Sequence, residues 1–248
     1  MRILSFLLAA LVSPLSLFAW TPATEQRIAE RAVRLAPADL RLLVEKYPSD
    51  FRRGIEHAAA EERTRGHRAS DLSPTGLRAD LEKEIKAAVN AMRTQQPISQ
   101  FVIHLGRVAH LTGDLNNPFQ SPAVTDVLLS NRSDYESYLE RRLVKIPTVF
   151  YGLDSLRDTR PVMLNAISRS GRFVPLLERE YTKNGERHTS AEFDDRSTAF
   201  GVAAICYSRS VTDLVTFYYF IWKEAGGDVR TAVTLRKGNL LVNPTYGN

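Results

Sequence analysis

The sequence predicts an all-α fold, a single multi-helix domain, on three observations. Apolar residues recur at intervals of three and four along most of the chain, the spacing that lines one face of a helix. Prolines, glycines and pairs such as Asn-Pro and Gly-Gly fall between those stretches, where helices stop and start. Alternation of apolar and polar residues, the mark of a half-buried strand, is scarce.

The elements follow in chain order. Met1 and Arg2 precede a short, mainly apolar stretch from Ile3 to Val12, and Leu17-Phe18-Ala19 ends in a small residue. That is the pattern of a secretory signal peptide over residues 1–19, cut after Ala19, and its apolar core is too short to span a bilayer. Cleavage there makes Trp20 the new N-terminus. The mature chain is expected to be secreted or periplasmic, with no integral membrane segment.

The helical domain is expected over residues 20–232. Ala23–Leu35 carries Ile28, Val33 and Leu35 at helical spacing. Pro37 opens a second helix that runs to Tyr47-Pro48, and Asp50–Ala60 forms a short third one. Residues 61–76 are polar, with Gly66, Ser70, Pro74 and Gly76, and predict a loop. Leu77–Met92 repeats apolar positions by threes and fours until Gln96-Pro97. Ile98–Asp114 is an apolar helix ended by Asn116-Asn117-Pro118. Tyr135–Leu143 and Pro161–Arg179 are further helices. Ser197–Ala225 is the longest and closes at Gly226-Gly227; its aromatic end, Phe217 to Trp222, suits a central, buried helix. Thr231–Leu241 is the best strand candidate, and residues 233–248 read as a C-terminal tail.

Composition narrows the function classes. The 248 residues include 33 Lys and Arg against 28 Asp and Glu, a net charge of +5, with 44% hydrophobic residues. These are globular values and exclude disordered or collagen-like chains. The one cysteine, Cys206, rules out an internal disulfide and a cysteine-rich zinc finger, and on an apolar helix it reads as a small buried hydrophobe. The mild positive charge permits anionic partners. No glycine-rich phosphate loop, Gly-x-Ser-x-Gly elbow or His-Glu-x-x-His motif occurs.

The informative segment runs from Phe101 to Gln120. His110 and Asp114 are four residues apart, about 40° around a helix, so both side chains share a face. An imidazole and a carboxylate so placed suit a divalent metal such as zinc, or a buried histidine held by a carboxylate. His104, six residues before His110, points about 240° away and is not a third ligand on helix geometry.

His110-Leu-Thr-Gly-Asp114-Leu-Asn-Asn-Pro118-Phe-Gln120 resembles the His-x-x-Gly-Asp-x-x-x-Pro-x-His signature of the bacterial zinc-dependent phospholipases C and the related single-strand-specific nucleases. The resemblance implies a secreted, all-helical phosphodiesterase with clustered zinc ions. It implies metal ligation by Trp20, through the amine freed on signal cleavage, and by His110, Asp114 and Glu136, the last within Arg132-Ser-Asp-Tyr135-Glu136-Ser-Tyr138. The upstream ligands that the family requires fall near Glu25 and among His57, His67 and Asp71. Each of these histidines could equally be a surface residue.

The chain departs from the signature at two ligand positions. Gln120 and Arg132 stand where zinc-binding histidines belong. Gln is a poor zinc ligand and Arg has no lone pair to give. A full three-zinc cluster is therefore not expected, and one or two zinc ions are. Arg132 lies four residues before Glu136, within reach of it along a helix, and predicts a fixed cation in place of a metal. The function implied is a secreted zinc-dependent phosphodiester hydrolase acting on a phospholipid headgroup or a single-stranded nucleic acid. The alternative is a non-catalytic binding or structural protein on the same scaffold. Stacking of bases would draw on Tyr135, Tyr138, Phe150 and Tyr151 beside Arg141, Arg142 and Lys145.

Overall fold

A computed structural model of the chain describes residues 20–65, 76–153, 157–229 and 240–242. The signal peptide expected over residues 1–19 and the candidate ligands His67 and Asp71 lie outside the described residues.

The architecture is all-α. Among the described residues, nine helices run in the order α1 (Pro22–Leu35), α2 (Ala38–Lys46), α3 (Pro48–Arg65), α4 (Leu77–Arg93), α5 (Ile98–Leu115), α6 (Asp126–Ser130), α7 (Arg132–Arg142), α8 (Arg160–Tyr181) and α9 (Thr198–Glu224). Two short strands, β1 (Thr148–Phe150) and β2 (Leu240–Val242), pair antiparallel, with Val149 opposite Leu241. Three residues within the expected tail thus return to the body of the protein.

Local signals explain most of the helix ends. The Thr21 side chain accepts from the Thr24 N–H at the start of α1, and Ser197 accepts from the Phe200 N–H at the start of α9. Gly226, at φ +86°, takes the left-handed turn just beyond α9. Three boundaries differ from the sequence expectation. Helix α3 begins at Pro48 and continues through residues 61–65, which were expected to be loop. Its polar end is held by tertiary contacts: Glu61 pairs with Arg107 at 2.8 Å, and Glu62 is buried. Helix α7 starts at Arg132, three residues before the expected Tyr135. The short α6 also went unanticipated; its signal is Thr125, whose hydroxyl accepts from the Leu128 N–H.

The core forms around α5 and α9. Helix α9 packs against α1, α4, α5, α8 and β1. Tyr207, Phe217 and Tyr218 are wholly buried on it, and the Tyr218 hydroxyl donates to the Leu105 carbonyl of α5. Cys206 is buried there as expected, and burial pushes its thiol up to about 12. No helix among the described residues is long and apolar enough to cross a membrane.

Helix α5 lies between α3 and α4, and the α3 contact is backbone-tight. A Cβ on Gly54 would sit 2.1 Å from the Ile103 carbonyl oxygen, and one on Gly106 would sit 2.1 Å from that of Phe51. Only hydrogen at both positions lets the two helices approach this closely. That crossing carries the far end of α3 over the C-terminal half of α5.

Candidate functional site

The C-terminal half of α5 is buried on all sides, and His110 and Asp114 lie on it at 1% and 0% exposure. The end of the helix is pinned. Asn116 donates to Asp213 of α9 at 3.0 Å, and Arg169 of α8 donates to both Asn116 and Asp213, at 2.8 and 2.7 Å. Three chain segments converge on this end. Trp20 packs on Gly113, its indole N–H donating to the Gly113 carbonyl at 2.7 Å. A Cβ on Gly113 would lie 3.3 Å from the Trp20 ring, so the glycine makes room for the indole. Helix α1 brings Glu25, and α3 brings Glu62. The turn Pro118–Gln120 and helix α7 add Gln120, Arg132 and Glu136.

The geometry centres on the imidazole. His110 Nδ1 lies 2.7 Å from Glu25 Oε1. Its Nε2 lies 3.2 Å from Asp114 Oδ2 and 3.7 Å from Glu62 Oε2. Glu62 Oε1 accepts from the Gln120 side-chain amide, and from Arg132 Nη2 at 3.4 Å. Arg132 Nε donates to Glu136 Oε1 at 2.7 Å. Among the described residues, four buried carboxylates, Glu25, Glu62, Asp114 and Glu136, gather around His110 and Arg132.

Burial and these neighbours shift the titrations. Burial pushes the His110 imidazole towards its neutral form, but the Asp114 and Glu25 carboxylates outweigh it and hold the pKa well above the ordinary histidine value. Glu62 is pushed up to about 8, by burial first and by the nearby Asp114 charge second, against the pull of His110 and Arg132. Burial also raises Glu136, against the opposing pull of Arg132.

The residues can hold a metal ion. Glu25, His110 and Asp114 are all buried and each offers a donor atom, the three lying within 4.8 Å of one another. With metal–donor distances near 2.1 Å, neighbouring corners of a tetrahedral site lie about 3.4 Å apart, and the two separations from Nε2 fall on either side of that spacing. Glu62 Oε2 is buried and has no hydrogen-bond partner, although it points at this same nitrogen. A proton on Nε2 or a divalent cation would each satisfy the arrangement.

Of the residues singled out from the sequence, Trp20, Glu25, His110, Asp114, Gln120, Arg132 and Glu136 come together here. His57 does not: it is exposed on α3. Glu62, five residues further and about 140° around the helix, points into the pocket instead. Glu62 went unread in the sequence. Its signal is the spacing Gly54, Ala58, Glu62, a stripe of small residues ending in an acid on the face that meets α5. His104 is turned away as expected and pairs with Glu84 of α4 at 2.8 Å. Tyr135, Tyr138 and Phe150 are buried in the core, and Tyr151 packs against the Arg209 guanidinium. No protein-family model matches this sequence, and no curated protein matches it either.

Proposed function

We propose that the chain is a secreted zinc-dependent phosphodiester hydrolase that works with a single ion. The observation that carries this reading is His110 Nε2, wholly buried, facing the Asp114 and Glu62 carboxylates, with Glu25 behind the ring on Nδ1. Glu25, His110 and Asp114, whose donor atoms lie within 4.8 Å of one another, would hold the ion, and Glu62 faces the same imidazole from 3.7 Å. The Glu25 contact at Nδ1 fixes the ring with Nε2 turned to Asp114 and Glu62. When bound, zinc supplies a water acidic enough to give hydroxide near neutral pH and a Lewis acid for a phosphoryl oxygen. The buried carboxylates and the close α3–α5 crossing keep bulk water away from the donors.

A lipid headgroup ester is the first substrate class to assay. A cavity of about 540 Å3 between α1, α2 and α3 reaches Glu25 and is walled by Ala29, Val33, Val44, Phe51 and Ile55. It offers room for an apolar group beside the charged centre. Single-stranded nucleic acid finds less support, because Tyr135, Tyr138 and Phe150 are packed inside and offer no face to a base.

A second reading, a non-catalytic protein on the same scaffold, is favoured by one observation. Doubly protonated His110 satisfies both Glu25 and Asp114 without any metal. Metal content and hydrolysis of a phosphodiester ester, measured on chain beginning at Trp20 and on its His110→Ala/Asp114→Ala variant, separate the two. The hydrolase reading expects zinc and turnover in the first and neither in the second. A folded chain that retains no zinc and hydrolyses no faster than the variant leaves the non-catalytic reading.

A further inference from the structure

Arg132 stands between two buried carboxylates brought from different helices. Its Nε donates to Glu136 Oε1 on α7 at 2.7 Å, and its Nη2 reaches Glu62 Oε1 on α3 at 3.4 Å. The Gln120 amide donates to that same Glu62 oxygen. A divalent cation needs lone pairs turned towards a common point. In this part of the pocket Glu62 Oε1 and Glu136 Oε1 are turned onto N–H donors instead, and positions 120 and 132 supply hydrogen rather than electron pairs. The guanidinium suits the task better than an ammonium would, because its planar fork can serve two carboxylates at once.

We propose that Arg132 is a permanent internal cation standing in for a metal ion: with Gln120 it ties Glu62 to Glu136, so this half of the pocket never loads and the pocket takes at most one exchangeable ion, on the His110 side. The tie also positions a donor. With Oε1 of Glu62 held by Arg132 and Gln120, Oε2 is the oxygen left facing His110 Nε2, 3.7 Å away. The inference concerns the Glu62–Arg132–Glu136 half and does not depend on the hydrolase reading.

The test restores the missing lone pairs. Wild-type chain and a Gln120→His/Arg132→His variant are equilibrated with zinc, separated from free metal and analysed for zinc per chain, with circular dichroism to establish folding. The variant is expected to carry one ion more than the wild type. It should keep that extra ion when His110→Ala is added, so the gain is readable even if the wild type binds no zinc at all. An equal count in the folded variant overturns the proposal. Should the variant not fold, zinc-soaked crystals of the wild type decide: an anomalous peak between Glu62 and Glu136 overturns it, and a guanidinium there without a peak supports it.

Discussion

Two charge networks sit on opposite sides of α5, six residues apart at their histidines, and they are built differently. On one side Glu84 accepts from His104 at 2.8 Å and from Arg107 at 2.9 Å, while Arg107 also holds Glu61 at 2.8 Å. Two acids meet an arginine and an imidazole. Burial pushes Glu84 up, but the His104 and Arg107 partners prevail and hold it below the usual carboxylate range. On the other side Glu25, Glu62, Asp114 and Glu136 share His110 and Arg132, and Glu62 is pushed up to about 8. The first network holds its buried carboxylate ionised. The second holds a buried carboxyl at Glu62 that keeps its proton to a much higher pH, so a proton there can be exchanged for a metal ion.

The largest expected effect comes from breaking the packing that the two networks share. Gly106→Ala places a methyl 2.1 Å from the Phe51 carbonyl, a backbone atom that cannot swing aside. Helix α3 must move off α5, at a cost of about 3 kcal/mol or more. Urea unfolding should show that loss, and Glu61 and Glu62 should leave both networks together. A drop under about 1 kcal/mol would mean that the crossing is far more forgiving than its geometry.

Next in size is a change confined to the balanced side. Arg107→Met leaves Glu84 buried with His104 alone, for an expected loss of about 2 to 3 kcal/mol in the unfolding free energy. Zinc binding at His110 should be unchanged. If metal binding falls with stability, the two networks are not independent.

The effect that sharpens the comparison most is in pH. Glu84 has a lowered folded pKa, so its contribution is present above its unfolded value near 4.5 and lost as pH falls through the folded one. Glu62 has the opposite sign. The folded state holds a proton on it up to about 8 that the unfolded chain releases near 4.5, so metal-free stability declines as pH rises through that window. Thermal unfolding from pH 4 to 9 should show Glu62→Gln removing the decline on the alkaline side and Glu84→Gln removing the loss on the acid side. Zinc uptake should tighten over the same rise, since the ion displaces protons from His110 and Glu62. Affinity that is flat from pH 6 to 8 would contradict that coupling.

How much was legible in advance depended on whether a residue's role was local. His110 and Asp114 could be paired from the sequence because four residues on a helix always share a face, and Arg132 and Glu136 for the same reason. Their i,i+4 relations are intact, with Nε2 to Oδ2 at 3.2 Å and Nε to Oε1 at 2.7 Å. The stop at Asn116-Asn117-Pro118 and the burial of the aromatic end of α9 were local as well. His57 stays outside the pocket because, on α3, the face that Gly54 turns towards α5 is the one that reaches it, and His57 is exposed on another face. Residues 61–65 read as loop because their polarity is that of a solvated segment; the partners that keep Glu61 and Glu62 helical, Arg107, Gln120 and Arg132, come from helix α5, the turn at Pro118–Gln120 and helix α7.

The sequence by itself determined the helical class, the boundaries of most helices, and the fact that imidazole and carboxylate face one way at the end of α5. These rest on periodicity and capping, which act over a few residues. Only the tertiary structure decided that Glu25 stands behind the His110 ring, that Glu62 enters from 48 positions upstream, and that Arg132 ties it to Glu136. Those contacts depend on how closely α3 can approach α5, and that distance is set by two glycines at one crossing.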